Sequence, residues 1–356
     1  MALSKPSNSG PLYALVAAVL FGASTPFSKI LLGRLEPVLL AGLLYFGSGV
    51  GLTLWLLLRG MIFNIPSREA KLTSSDLPWL AAAIFAGGVA GPILLLLGLS
   101  STAASSASLL LNLEGVLTAI IAWFIFKENF DRRIAFGMAS IIAGGVLLSW
   151  GGKPEIGVPW GPLAIAGACL AWAIDNNLTR KVSSGDPIQI AAAKGIVAGT
   201  VNLAIALALG AMKPTFKTIA EAGIVGVFGY GISLALFVMA LRHIGTARTG
   251  AYFSVAPFAG ALLSLILLRE SITVYLVAAA ALMFLGIYLH LSEKHDHEHW
   301  HEAMEHDHSH SHDEHHLHHA EPELLTQTHS HMHRHERLRH SHPHYPDIHH
   351  RHRHQH

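Results

Sequence analysis

Between residues 11 and 291 the chain runs through one apolar block after another, each about twenty residues long, with short polar connections between them. A helix rising 1.5 Å per residue needs about that length to cross a hydrocarbon core of roughly 30 Å. Charged residues make up 13% of the chain and hydrophobic ones 51%, whereas a soluble domain carries about 25% charged residues. The pattern therefore predicts an all-α polytopic membrane protein. Ten spans are expected, near residues 11–33, 37–58, 77–99, 103–126, 132–150, 159–181, 187–212, 219–243, 246–268 and 272–291. Prolines mark several entrances (Pro11, Pro37, Pro78, Pro159, Pro187), where a missing N–H costs least. The first block is too long for a signal-peptide core and is expected to be a retained helix.

The formal charge of +1 averages two unlike regions. Residues 1–294 hold 19 Lys and Arg against 12 Asp and Glu, and residues 295–356 hold 5 against 11 together with 24 of the 26 histidines. The chain thus reads as a membrane region and a separate polar tail. With the N-terminus inside, twelve Lys and Arg fall on the inner side and five on the outer side (Arg34, Lys153, Lys213, Lys217, Arg269). That asymmetry predicts a cell-membrane protein with both termini cytoplasmic. The single cysteine, Cys169, excludes an intramolecular disulfide.

The two halves of the membrane region resemble each other. An offset of 142 carries Lys127-Glu128 onto Arg269-Glu270, Glu114 onto Ala256 and Gly115 onto Pro257. An offset of 150 carries Leu20-Phe21-Gly22-Ala23 onto Leu170-Ala171-Trp172-Ala173 and Pro37 onto Pro187. With five spans per half, an odd number, the second copy is expected to insert upside down, as in secondary transporters with a substrate site near the midplane.

In each half a fixed order of segments recurs: LFGASTP and LAWAIDN, the exit LLLRG, the small-residue stretches TAASSASLLLNLEG and GTARTGAYFSVAP, the closing WFIFKE and LILLRE, and the glycine-bearing IIAGGVLL and MFLGIYL. In this order the sequence resembles the EamA group of the drug/metabolite transporter superfamily. The resemblance covers about residues 11–291 and implies two EamA-like repeats of five helices, residues 11–151 and 159–291, with export of small solutes and no ATP hydrolysis. Gly115 departs from it, since the family often has Pro there. Residues 295–356 lie outside it.

Ionisable groups within spans are costly, by about 2.5–3.5 kcal/mol at a helix centre on insertion scales, and usually functional. Glu114 lies eleven residues into its expected span. It is a candidate proton-coupling or cation-binding carboxylate; the structural alternative is a hydrogen bond to a neighbouring helix. Asn112, two residues away, belongs to another helix face. Asp175 and Lys194 are expected at matching depths of roughly 9–10 Å from the inner side, which predicts an intramembrane ion pair, either a gate supported by Asn176 and Asn177 or a structural pair. Lys29 is expected to snorkel outward. Gly195 and Gly199, and the groups Gly87, Gly88, Gly91 and Gly226, Gly229, Gly231, are expected to serve close packing or a kink. Cys169 and the membrane methionines are expected to pack.

The tail carries alternating histidines with interleaved acids: His295, His297, His299, His301; His306, His308, His310, His312; His329, His331, His333, His335. Imidazole suits Zn, Cu and Ni. With too little apolar content for a core, the tail is expected to be disordered and cytoplasmic and to bind a divalent metal (Ni, Co or Zn). No cofactor is required. The expected activity is proton-exchanging efflux of divalent transition-metal ions, Ni²⁺ or Co²⁺ foremost and Zn²⁺ admitted. The alternatives are export of small metabolites, amino acids or drugs under a metal-responsive tail, and a membrane-anchored metal buffer. No nucleophile–base constellation and no GxxxxGK[ST] occurs, so an enzyme is not expected. The expected partners are the lipid bilayer and the transported ion or small molecule; nucleic acid is not among them, and a homodimer is compatible with the sequence.

Overall fold

The computed structural model describes residues 9–63, 76–126, 132–150, 158–182, 186–291, 295–300, 304–310, 329–335 and 339–344. The described apolar blocks are mostly helical. In the first half α1 runs Ser9–Leu32, α2 Pro37–Phe63, α3 Leu77–Ala83, α4 Gly91–Ser101, α5 Ala104–Leu110, α6 Leu113–Phe126 and α7 Arg132–Trp150. In the second, α8 runs Trp160–Val182, α9 Pro187–Ala208, α10 Phe216–Gly226, α11 Ser233–Phe253, α12 Ala256–Leu268 and α13 Val274–Leu291. Short π-helical segments, Ile84–Ala90 and Val227–Ile232, join α3 to α4 and α10 to α11.

Seven stretches among the described residues are long and apolar enough to cross a membrane: Gly10–Leu32, Pro37–Arg59, Leu77–Ser101, Ala104–Ile121, Arg133–Trp150, Ile188–Ala208 and Phe216–Phe237. Ala256–Leu268 and Val274–Leu289 are apolar but shorter, and α8 is set apart by its polar run Asp175-Asn176-Asn177. Large apolar side chains such as Leu57, Phe85, Phe124, Phe136, Leu262 and Phe284 stand on the outer surface, a coat that suits lipid and would aggregate in water.

Two expectations from the sequence are corrected. The span expected as one helix over 103–126 is broken at Leu111–Asn112 into α5 and α6. The boundary expected between 243 and 246 falls inside α11, whose interruption comes later, at Ser254–Val255. Hydropathy records which residues meet lipid and not where the backbone ladder breaks.

Glycines let the helices approach closely, as is usual where lipid supplies no hydrophobic drive for helix association. A Cβ on Gly22 of α1 would overlap the Ala256 carbonyl of α12 and lie 2.9 Å from the Gly260 nitrogen. One on Gly195 of α9 would lie 2.6 Å from the Gly49 nitrogen of α2, and Gly199 is packed as tightly on Phe46. On Gly286 of α13 it would lie 2.5 Å from the Gly137 carbonyl of α7. A buried core of Leu40, Leu44, Leu96, Leu99, Leu110 and Ile165 ties α2, α4, α5 and α8 together.

In the tail the described residues form four short strands. β1 (His295–Trp300) pairs antiparallel with β4 (Arg339–His344), and β2 (Met304–His310) with β3 (His329–His335). The alternation of histidine with other residues has the two-residue period of a strand.

Candidate functional site

The break in the fourth apolar segment carries the chemistry. At its end α5 tightens, with the Leu111 amide donating to the Ser108 carbonyl at 3.2 Å and the Asn112 amide to the Leu109 carbonyl at 3.1 Å. The Asn112 side chain donates to the same Leu109 carbonyl at 2.8 Å and lies 3.7 Å from the Met283 sulfur of α13. When the helix restarts as α6, Glu114 falls in its first turn. A helix N-terminus carries about half a positive charge, which favours a carboxylate there. Glu114 is half-buried, and its Oε1 accepts a hydrogen bond from Asn176 Nδ2 of α8 at 2.8 Å. Beside it Gly115 is exposed, and among the described residues no atom beyond its own chain neighbours and helix backbone lies within 4 Å of where a Cβ would stand.

One residue before Asn176, Asp175 forms a buried ion pair with Lys194 of α9, whose Nζ donates to Oδ1 at 2.6 Å and to Oδ2 at 2.7 Å. Thr179 Oγ1 donates to Oδ1 at 2.8 Å and accepts from Lys194 Nζ at 3.2 Å. Both side chains are more than four-fifths buried. Taking two charges out of water costs several kcal/mol per ion, so such a pair holds only where the geometry satisfies it this fully.

Aromatic rings converge a turn away on α8. Phe21 of α1 meets Trp172, Tyr230 and Phe253 at centroid separations of 6.4, 5.9 and 5.6 Å. Tyr45 of α2 meets Tyr230 at 5.3 Å. The π-helical segment Ile84–Ala90 explains how two of the rings are held. Its altered ladder leaves the Gly87 carbonyl to accept from both Tyr45 Oη and Trp172 Nε1 at 2.9 Å. The next carbonyl, Gly88, accepts from Asn202 Nδ2 at 2.9 Å. Gly87 is required for a second reason: a Cβ there would overlap the Asp175 carboxylate. A π-helical turn in an α-helix often marks a functional site.

A second interruption lies at Thr102–Ala103, extended residues between α4 and α5. Lys29 of α1 does not simply snorkel; its Nζ donates to the carbonyls of Leu99, Ser100 and Thr102 at the end of α4. Glu270 receives the Ala104 and Ser105 amides at the start of α5, at 2.7 and 2.9 Å. Glu270 is presented by Arg269, which ends α12 in the left-handed region at φ 52°. Such a conformation costs a non-glycine residue about 1–2 kcal/mol.

Of the residues singled out from sequence, Glu114 and Asn176 are brought together, as are Asp175 and Lys194. Asn112 is directed elsewhere, as a cap on α5 against α13. Cys169 is buried with its sulfur 3.7 Å from the Leu110 carbonyl. The rings Phe21, Tyr45, Trp172, Tyr230 and Phe253, and the caps Lys29 and Glu270, were not found as a site from sequence, because they converge from residues far apart in the chain. Among the described residues no group of three or more His, Cys, Asp or Glu side chains stands ready to hold a metal ion.

The chain is similar to a transporter of Methanothermobacter thermautotrophicus, 29% identical over 293 residues, 79% of this chain and 85% of that one. It is similar also to the inner membrane transporter YedA of Escherichia coli, 23% identical over 263 residues, 71% of this chain and 80% of YedA. Neither relative's name gives a substrate. A solved crystal structure shares the fold with a TM-score of 0.60 at 18% identity, covering 79% of this chain and 95% of that one. Two stretches, residues 8–150 and 159–292, each match the EamA-like transporter family. The chain is a multi-pass membrane protein of the EamA-like transporter family.

Proposed function

We propose that the chain is a proton-coupled secondary exporter of small organic solutes carrying an amine or other cationic group, built from ten spans as two inverted five-helix halves in the cell membrane with both termini cytoplasmic. One observation carries the reading: a half-buried carboxylate, Glu114, at a helix start beside the open space at Gly115, whose partner Asn176 lies one turn of α8 from Trp172 and the aromatic rings around it. Aromatic faces attract organic cations and cover apolar surface, and a carboxylate within the membrane region supplies the charge that a proton or a cationic substrate takes in turn.

The same geometry weighs against a bare metal ion as cargo. Both Asp175 oxygens are taken by Lys194, and Glu114 is joined by an amide rather than by further carboxylates, thiols or imidazoles. A dehydrated divalent cation needs several such ligands at once. Asp175, Lys194 and Thr179 then act as the inner gate, opening when the pair separates.

The reading is tested in everted membrane vesicles holding a proton gradient, by adding organic amines and amino acids on one side of the comparison and Ni²⁺, Co²⁺ and Zn²⁺ salts on the other. The expected result is collapse of the gradient by an organic amine, abolished in Glu114→Gln, while that variant keeps its membrane yield and its size-exclusion profile in detergent. Collapse by metal salts alone, retained after truncation at Lys294, would return the assignment to metal efflux. Full activity in Glu114→Gln would remove Glu114 from the coupling step.

A further inference from the structure

Helix α5, Ala104–Leu110, hangs between two breaks. Before it the backbone is extended at Thr102–Ala103, and after it the ladder stops at Leu111–Asn112, two residues short of Glu114. Its start lies on the side of the membrane reached by the end of α1, because Lys29 of α1 meets the carbonyls that close α4. In the reading above that is the outer side. Ten residues separate Ala104 from Glu114, roughly 15 Å at 1.5 Å each and about half of a hydrocarbon core of roughly 30 Å. α5 occupies that depth. Six of its seven residues are buried, so it shows no face to lipid and stands inside the bundle. A Cβ on Gly260 of α12 would lie 2.7 Å from the Ser108 hydroxyl and 2.7 Å from the Gly22 carbonyl of α1.

The two arms of the Thr102–Ala103 joint are held by different means. The α4 arm is fixed: Lys29 Nζ serves three carbonyls at its end, and the π-helical segment before it is tied by Tyr45, Trp172 and Asn202. The α5 arm is held at its start by Glu270, which takes the Ala104 and Ser105 amides at 2.7 and 2.9 Å. Glu270 follows α12, in the second family-matched half, whereas α5 belongs to the first. The contact therefore ties one half to the other. Behind it α5 packs with small residues, Ala104, Ser105, Ala107 and Ser108, which leave a smooth surface on the glycines of α1 and α12. The fully buried Ser108 hydroxyl has no hydrogen-bond partner among the described residues. An unmade bond of this kind is costly, so the seated position of α5 carries a penalty that contact with water would relieve.

We propose that Glu270 is a positioning residue for transport: it latches α5 as a plug over the Glu114 site, and its release lets α5 swing about its two joints and open Glu114 to the outer side. The proposal rests on the transport reading above for the side that opens, and the motion is independent of which solute is carried.

The chain supplies its own reporter. Its single cysteine, Cys169 of α8, is fully buried under the far end of α5, its sulfur 3.7 Å from the Leu110 carbonyl and 4.0 Å from that of Leu111. The test follows the initial rate at which a membrane-impermeant maleimide labels Cys169 in the full chain, in right-side-out and in everted vesicles, with Cys169→Ser as the background. Glu270→Ala should label about 2–30-fold faster than the parent in right-side-out vesicles, the range that follows from loss of a helix cap, and no faster in everted ones. Glu270→Gln, which keeps one acceptor oxygen, should fall between. Gly229→Ala crowds Ser24, whose Cβ would lie 2.6 Å away, and loosens the bundle elsewhere; it should label like the parent, which separates a released latch from a weakened fold. Equal rates in Glu270→Ala and the parent, a rise in everted vesicles, or the same rise in Gly229→Ala would overturn the latch. Because no solute is added, those outcomes leave the role of Glu114 in transport standing. Labelling as expected in a chain that moves no organic amine would instead remove the cargo assignment and keep the latch.

Discussion

The two family-matched halves repeat one backbone device and differ in what they put on it. Each has a π-helical segment, Ile84–Ala90 in the first and Val227–Ile232 in the second. Each later breaks a helix, at Leu111–Asn112 and at Ser254–Val255. After the first break come Glu114 and Gly115, half-buried and exposed, with open space at Gly115. After the second come Ala256 and Pro257, with Ala256 only 1% exposed and its carbonyl tight against Gly22. Repetition thus supplies geometry twice, while chemistry is placed once. A substrate path through such a molecule is lopsided even where the fold is not.

The sharpest way to break that comparison is to move the carboxylate across it. Ala256→Glu places a charge at a position only 1% exposed, and an uncompensated buried ion costs several kcal/mol. The variant is expected to fail in membrane yield and to aggregate on size exclusion. A well-behaved, monodisperse Ala256→Glu would mean that the second break is as open as the first.

Next come the paired glycines of the π-helical segments. A Cβ on Gly87 would meet the Asp175 side chain, its Cβ 2.6 Å away, while one on Gly229 would lie 2.6 Å from the Ser24 Cβ. Overpacking of this kind costs about 1–3 kcal/mol, so both alanine variants should lower the unfolding midpoint. Only Gly87→Ala should also alter transport, because only there does the displaced group belong to the ion pair with Lys194. Equal transport defects in the two variants would dissolve the distinction between the halves.

Smaller again is Glu270→Ala. It leaves the Ala104 and Ser105 amides without their acceptor, and loss of a helix cap costs about 0.5–2 kcal/mol. Glu270→Gln, which keeps an acceptor oxygen, should lose less. Thermal unfolding in detergent separates the two; no difference between them and the parent would show that water replaces the cap at no cost.

What was legible in the sequence follows from what hydropathy and depth can report. The helical blocks were legible because lipid selects for long apolar runs, and the Asp175–Lys194 pair was legible because two opposite charges at one depth need each other. The breaks were not, since Leu111-Asn112 and Ser254-Val255 interrupt the hydrogen-bond ladder without interrupting the apolar run. The π-helical segments left a trace in the clusters Gly87-Gly88 and Gly229–Gly231, but a glycine cluster alone does not separate a kink from close packing. The five rings sit at positions 21, 45, 172, 230 and 253, and only the folded bundle brings them together.

The smallest effect isolates the open space itself. Gly115→Ala adds one methyl group that, among the described residues, meets no atom of another element within 4 Å, in the first turn of α6. Replacing glycine by alanine in a helix stabilises it by about 0.5–1 kcal/mol, so the unfolding midpoint should rise slightly. If the space beside Glu114 is where solute passes, that methyl group stands in it, and transport of the bulkiest accepted amine should fall while that of the smallest is kept. A stabilised variant with its substrate range unchanged would place the path elsewhere and leave Gly115 as a helix-start residue alone. In the other half the equivalent position is already filled by Pro257, and enlarging Ala256 beside it can only destabilise. Stability and transport therefore move in opposite directions at the first break and together at the second.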